Sequence, residues 1–128
     1  MKTSRPKERE SDILRTITDG LSAMHIWWVR MNSGAMVSEY RGKKRMLRFG
    51  RKGMGDILAL VVSDLGINCY RCEAMNPLPM TFTPTWFECK TATGEQTADQ
   101  MEFQHEVEQA GHHYFVVRSW EDVLEALR

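Results

Sequence analysis

Glu88 and Lys90 stand two residues apart in Trp86-Phe87-Glu88-Cys89-Lys90, so on a strand they share one face while Cys89 points to the other. A carboxylate and an ammonium are then held side by side. Asp56 opens the apolar run Ile57-Leu58-Ala59-Leu60-Val61-Val62, from which it can reach the same end of a sheet. Two carboxylates brought to one point repel each other and favour a hard cation such as Mg²⁺, which binds through oxygen. Lys90 would then hold or polarise a water at that cation. A surface ion pair is the more common fate of a Glu and a Lys so spaced, and the spacing alone does not reject it. Two further polar residues lie on apolar faces by helical arithmetic. Gln100 precedes Phe103 by three residues and Val107 by seven, whereas Asp99, Glu102 and Glu106 fall on the wet face. Glu10 precedes Ile13 and Ile17 by the same intervals. Taken alone, each of these two reads better as a cap or as a satisfied polar residue at the edge of a core than as part of a site.

The elements that must position these groups can be read from periodicity. Ile13, Ile17, Leu21 and Met24 recur at helical spacing and predict a first helix from about Lys7 to Ala23, with Gly20 weakening its last turn. Residues 25 to 31, HIWWVRM, read as a strand ending at the turn Asn32-Ser33-Gly34. At least one of Trp27 and Trp28 should face the core. A charged hairpin is expected from Ala35 to Phe49. The run Asp56 to Val62 suits a central strand buried on both faces. Pro77, Pro79 and Pro84 then mark an extended excursion, from about 66 to 85, before a strand over residues 86 to 90. Thr97 and Gln100 have capping-box spacing, and Gly111 sits where a left-handed C-terminal cap would end the helix. His113 to Val117 form a last strand, and Ser119 starts a short final helix. His112 and His113 read as ordinary polar residues flanking that strand. The expectation is a mixed α/β domain with one sheet.

A chain of 128 residues with 42% hydrophobic and 27% charged residues is expected to form one compact domain, residues 1 to 128. No apolar run approaches the roughly 18 residues that span a bilayer, and the charged N-terminus lacks the apolar segment of a secretory signal. Three cysteines cannot close a disulfide framework, which fits a reducing compartment. An intracellular protein is expected, in a bacterium or a virus-infected host cell. Cys69 and Cys72 form a lone C-x-x-C with only Cys89 elsewhere, too few ligands for a zinc site, and read as loop thiols. The net charge of zero hides a segregation: residues 1 to 52 hold 13 basic against 5 acidic residues, residues 53 to 128 hold 4 against 12. The densest run, Arg41 to Lys52, carries seven positive charges and no negative one. It fits either a solvated hairpin or a surface that attracts a polyanion by counterion release.

The ordered set Gly53-Met54-Gly55-Asp56-Ile57-Leu58, Phe87-Glu88-Cys89-Lys90, GEQTADQMEF from Gly94 and GHHYFVVRS from Gly111, preceded by WVRMNSGA and the ESDILRTI helix, strongly resembles the VRR-NUC domain. That is the virus-type replication-repair branch of the PD-(D/E)XK nucleases, and the resemblance covers nearly the whole chain. It implies a restriction-endonuclease-like core of order αβββαβ, followed here by a short C-terminal helix. It implies that Asp56 and Glu88, with the backbone carbonyl of Cys89 and with Glu10, hold Mg²⁺ or Mn²⁺. By the same carry-over Lys90 is the catalytic lysine, Gln100 the glutamine of this branch and Glu10 the acidic residue of the first helix. Gly55 stands where the family's name expects proline.

The function so implied is a metal-dependent DNA endonuclease, selective for branched DNA such as four-way junctions and acting as a homodimer. Arg41, Lys43, Lys44, Arg45, Arg48, Arg51 and Lys52, together with Asn32, are the expected DNA contacts. The excursion, or aromatic surface near Trp86 and Phe87, would supply the dimer contact. Two rivals use the same features: a nucleic-acid-binding module of this fold without chemistry, and a protein-interaction domain whose charge polarity serves self-association.

Overall fold

The computed structural model describes residues 7–31, 34–62 and 82–128. Among the described residues the chain is mixed α/β, with three helices and two sheets. Its order is α1 (Glu10–Ala23), β1 (Trp27–Arg30), β2 (Gly34–Tyr40), β3 (Lys43–Phe49), β4 (Ile57–Val62), β5 (Phe82–Cys89), α2 (Ala98–Gln109), β6 (His113–Val117) and α3 (Trp120–Ala126). The larger sheet has strand order β1-β4-β5-β6, in which β1, β4 and β5 pair antiparallel and β6 joins β5 in parallel. A parallel neighbour requires a crossover, and α2 supplies it.

Side-chain alternation along the inner strands builds two apolar layers. Ile57, Ala59, Phe87, Cys89 and Val117 pack with Ile13, Ile17 and Leu21 of α1 and Val123 of α3. Trp86 and Tyr114 face the other way, against Phe103 and Val107 of α2. Burying such side chains contributes roughly 1.5–3 kcal/mol apiece. The sheet is therefore covered by α1 and α3 on one side and by α2 on the other, and Glu88 falls on the α2 side because it lies two residues from Trp86. The contact of α1 with α3 is close: a Cβ on Gly20 would lie 2.3 Å from the Trp120 ring. The residue that weakens the helix locally is thus what lets Trp120 pack on it.

Several boundaries differ from expectation. α1 starts at Glu10 rather than Lys7, because the Asp12 carboxylate accepts a hydrogen bond from the Arg9 N–H at 3.3 Å and closes the helix there. Met24 lies just past α1 and is exposed. The expectation of one sheet is also corrected. β2 and β3 pair only with each other among the described residues, and form a second, two-stranded sheet whose side chains are nearly all exposed. The strand expected over residues 86 to 90 runs instead from Phe82 to Cys89, and Pro84 lies inside it opposite Leu60. That proline is tolerated because β6 pairs with β5 only from Thr85 onward, which leaves Pro84 with a single neighbouring strand. Trp86 and Phe87 are buried and cannot form a surface contact. Of the tryptophan pair, Trp28 packs on the α1 layer and donates from its indole to Ser22 Oγ at 2.8 Å, while Trp27 is exposed. Asn32, Cys69, Cys72, Pro77 and Pro79 lie outside the described residues.

Candidate metal centre

The site forms where the first residue before β4 meets the C-terminal end of β5. Asp56 accepts a hydrogen bond from the Cys89 N–H on Oδ2 at 2.7 Å, while its own N–H donates to the Phe87 carbonyl at 3.0 Å. Backbone on both sides of Glu88 thus fixes the aspartate. Glu88 is 1% exposed. Both of its oxygens are held: Gln100 Nε2 donates to Oε1 at 2.8 Å and the Tyr114 hydroxyl donates to Oε2 at 3.1 Å. Lys90 Nζ lies 3.8 Å from Glu88 Oε1 and is itself nearly buried. Glu10 enters from the first turn of α1, and one carboxylate oxygen each from Glu10, Asp56 and Glu88 lie within 4.8 Å of one another.

The electrostatics follow from burial. Glu88 has its pKa pushed up to about 8, first by loss of solvent and then by the charge of Asp56; Lys90 and the Tyr114 hydrogen bond oppose the shift without reversing it. One nearby ammonium does not offset the desolvation of a carboxylate. The Cys89 thiol, on the opposite face, is pushed well above its ordinary range by burial and by Asp56, Glu88 and Glu10. It stays a neutral thiol in the α1 layer. Burial and the neighbouring Glu88 likewise hold the Tyr114 phenol protonated, as a hydrogen-bond donor.

The expected residues Glu10, Asp56, Glu88, Lys90 and Gln100 are therefore brought together. Gln100 does two things at once. Its Oε1 accepts from the Thr97 N–H at 2.8 Å, completing the capping box, while its Nε2 reaches Glu88. Capping and positioning are two ends of one amide rather than alternatives. Glu88 and Lys90 form a buried pair, and the surface pairing that their spacing also allowed does not occur.

Sequence reasoning did not single out Tyr114 or Arg118. Tyr114 was legible in part: it stands opposite Trp86 across the parallel pair and thus on the face that carries Glu88. Arg118 donates from Nη1 to the Thr91 carbonyl and to the Gly94 carbonyl at 2.7 Å, clamping the loop that follows Lys90. No local pattern marks that long-range contact.

The expected DNA contacts separate into two groups. Arg41, Lys43, Lys44, Arg45 and Arg48 belong to the exposed β2–β3 hairpin. Arg51 and Lys52 instead belong to the loop between β3 and β4 and reach α2 with their side chains: Arg51 pairs with Glu106 and stacks over the Phe103 ring, and Lys52 Nζ lies 3.2 Å from Asp99. Close backbone approach holds this loop: a Cβ on Gly53 would lie 2.4 Å from the Asp99 carbonyl.

Comparison with protein-family models, with curated proteins and with solved structures finds no match to the chain.

Proposed function

We propose that the chain is a metal-dependent nuclease that hydrolyses phosphodiester bonds in DNA, with Mg²⁺ or Mn²⁺ held by Asp56, Glu88 and Glu10. The observation that carries this reading is the convergence of the three carboxylates within 4.8 Å beside a buried lysine. The donor set fits a hard divalent cation. All three ligands are oxygens, the hydrogen bonds to Glu88 leave further lone pairs on its carboxylate, and an added cation would offset the desolvation and the Asp56 charge that raise its pKa. With the hairpin set aside, the order α1, β1, β4, β5, α2, β6 agrees with the αβββαβ core that the VRR-NUC resemblance implies. Selection of branched DNA by a two-fold dimer rests on that resemblance.

The cation, when bound, supplies Lewis-acid activation of water and neutralises charge developing on the phosphate. The remaining work falls to the chain. Asp56 is fixed by the Cys89 N–H, so it meets a cation without reorganising. Gln100 and Tyr114 hold Glu88 from opposite oxygens. Lys90 keeps its ammonium beside Glu88 Oε1, positioned to orient the attacking water and a phosphate oxygen. Water forms the new P–O bond and gives up a proton to solvent, the bond to the leaving deoxyribose oxygen breaks, and that oxygen takes up a proton from solvent.

The test is incubation with single-stranded, duplex, flap and four-way-junction DNA in Mg²⁺, Mn²⁺ or EDTA. Cleavage that needs the metal and disappears in Asp56→Ala is expected. Binding without cleavage under every metal condition would replace the nuclease with a binding module, and absence of both would leave a protein-interaction domain.

A further inference from the structure

The β2–β3 hairpin is an isolated ribbon. Its strands pair with each other alone among the described residues, and nearly every residue on both faces is exposed. Two-stranded ribbons are marginally stable in water without a covering surface. This one nonetheless exposes Met36, Val37, Tyr40, Met46, Leu47 and Phe49.

Register divides its side chains into two unlike faces. Residues opposite each other in an antiparallel pair project to the same side. One face carries Met36 opposite Leu47, Ser38 opposite Arg45 and Tyr40 opposite Lys43. The other carries Ala35 opposite Arg48, Val37 opposite Met46 and Glu39 opposite Lys44. Glu39, the sole acid between Gly34 and Phe49, is therefore on the second face. The first face has no carboxylate, and it forms an open concavity of about 540 Å³ lined by Ser38, Tyr40, Arg41, Lys43, Arg45 and Leu47.

The turn adds an independent sign. Arg41 has φ 51° and Gly42 φ 75°, the arrangement of a two-residue hairpin turn whose first position favours Asn, Asp or Gly. An arginine there accepts unfavourable backbone geometry, and it sets its guanidinium 5.4 Å from the Tyr40 ring centre. Backbone strain of this kind gathers where a side chain must be presented.

We propose that this face of the hairpin holds an unpaired strand of nucleic acid, with its phosphates on Arg41, Lys43 and Arg45 and a base stacked on Tyr40. The inference rests on the reading of the chain as a protein that acts on branched DNA, and it assigns to the hairpin the strand segment whose bases are open at a branch. Lys43 and Arg45 project from alternate positions of one strand, roughly 7 Å apart, so each can meet a separate phosphate. Tyr40 is 71% exposed and offers a ring, with Met36 and Leu47 extending the apolar strip. Cations interleaved with exposed aromatic and apolar side chains suit a strand whose bases are free to stack, rather than a duplex that presents mainly phosphate. A second copy of the ribbon is disfavoured as the occupant. Five basic residues against one acid between Gly34 and Phe49 would set like charges together.

The test is fluorescence anisotropy in EDTA, where no metal-dependent cleavage occurs, with a labelled single strand and the blunt duplex of the same sequence. Lys43→Ala with Arg45→Ala should weaken single-strand binding about tenfold or more and lower the slope of log affinity against log salt by about 1.4, two phosphates' worth. Lys44→Ala with Arg48→Ala removes the same charge from the opposite face and should have a clearly smaller effect. Tyr40→Ala should weaken binding at least about fivefold, and Tyr40→Phe should retain it. Equal losses in the two charge-matched variants, indifference to Tyr40→Ala, or tighter binding of the duplex would each overturn the proposal. Failure of the nuclease reading is separable. A chain that binds the strand through this face but cleaves nothing with Mg²⁺ would overturn only that reading, and metal-dependent cleavage by a chain indifferent to the face would overturn only this one.

Discussion

Gln100 donates from Nε2 to Glu88 Oε1 at 2.8 Å while its Oε1 accepts from the Thr97 N–H at the same distance, so one side-chain amide caps α2 and aims the buried carboxylate. The helix start and the site are thereby coupled. Thr97→Ala, which loses only the hydroxyl that accepts from the Gln100 N–H, should cost about 1 kcal/mol of stability and little metal affinity. Gln100→Ala should in addition lower metal affinity or activity by about 10- to 100-fold. Urea denaturation beside a metal titration separates the two, and equal metal affinity in both variants would refute the coupling.

Asp56→Ala, Glu88→Ala and Lys90→Ala should each lower cleavage by at least about a hundredfold, and the double variants should be little worse than the singles, because the three groups act on one assembly. Single-turnover rates on a labelled substrate check this. Additive losses would show that they act separately.

The raised pKa of Glu88 makes stability depend on pH. Its ordinary value is 4.5 and its folded value about 8. Below 4.5 the carboxyl is protonated in folded and unfolded chains alike and costs nothing. Between the two values the unfolded chain has released its proton and the folded chain still holds it, so metal-free stability falls by up to about 1.4 kcal/mol per pH unit. Above about 8 the loss is complete. Urea midpoints across this range should therefore decline in metal-free protein, flatten in Glu88→Gln, and recover at neutral pH when Mg²⁺ is added. A midpoint that rises with pH through this window would contradict the shift.

Gly53 and Gly42 both have positive φ but differ in surroundings. At Gly53 an added Cβ meets the Asp99 carbonyl at 2.4 Å, whereas at Gly42 it meets nothing within 4 Å. Gly42→Ala should cost only the backbone strain, about 1–2 kcal/mol. Gly53→Ala should cost more and also reduce activity, since the clash pushes on the first turn of α2 beside Gln100. Thermal melts and cleavage rates of the two variants test the difference.

The two-fold dimer that the VRR-NUC resemblance implies predicts twice the monomer mass by light scattering at micromolar concentration, and a preference for the four-way junction over linear duplex. A monomeric mass, or equal cleavage of the two substrates, would refute the corresponding half.

Features that depend on neighbours in the chain were readable from it. Ile13, Ile17 and Leu21 line the buried stripe of α1, and the Thr97–Gln100 capping box and the left-handed Gly111 stand at the ends of α2 as their spacing predicts. The common face of Glu88 and Lys90 follows from the two-residue period of a strand. Tertiary structure decided what depends on distant partners. Pro84 lies in a strand because β6 begins one residue later, which no window around the proline contains. Arg51 and Lys52 belong to the same basic run as Lys43 and Arg45, yet they pair with α2 residues some fifty positions away, so charge density could not separate them from the exposed hairpin. Convergence of Glu10 with Asp56 and Glu88 requires α1 to pack across the sheet end, and Tyr114 reaches Glu88 only through the parallel crossover. Periodicity, caps and turns are local in their physics. Burial of a charge, and hence the raised pKa of Glu88, exists only once the sheet and both helix layers have closed around it.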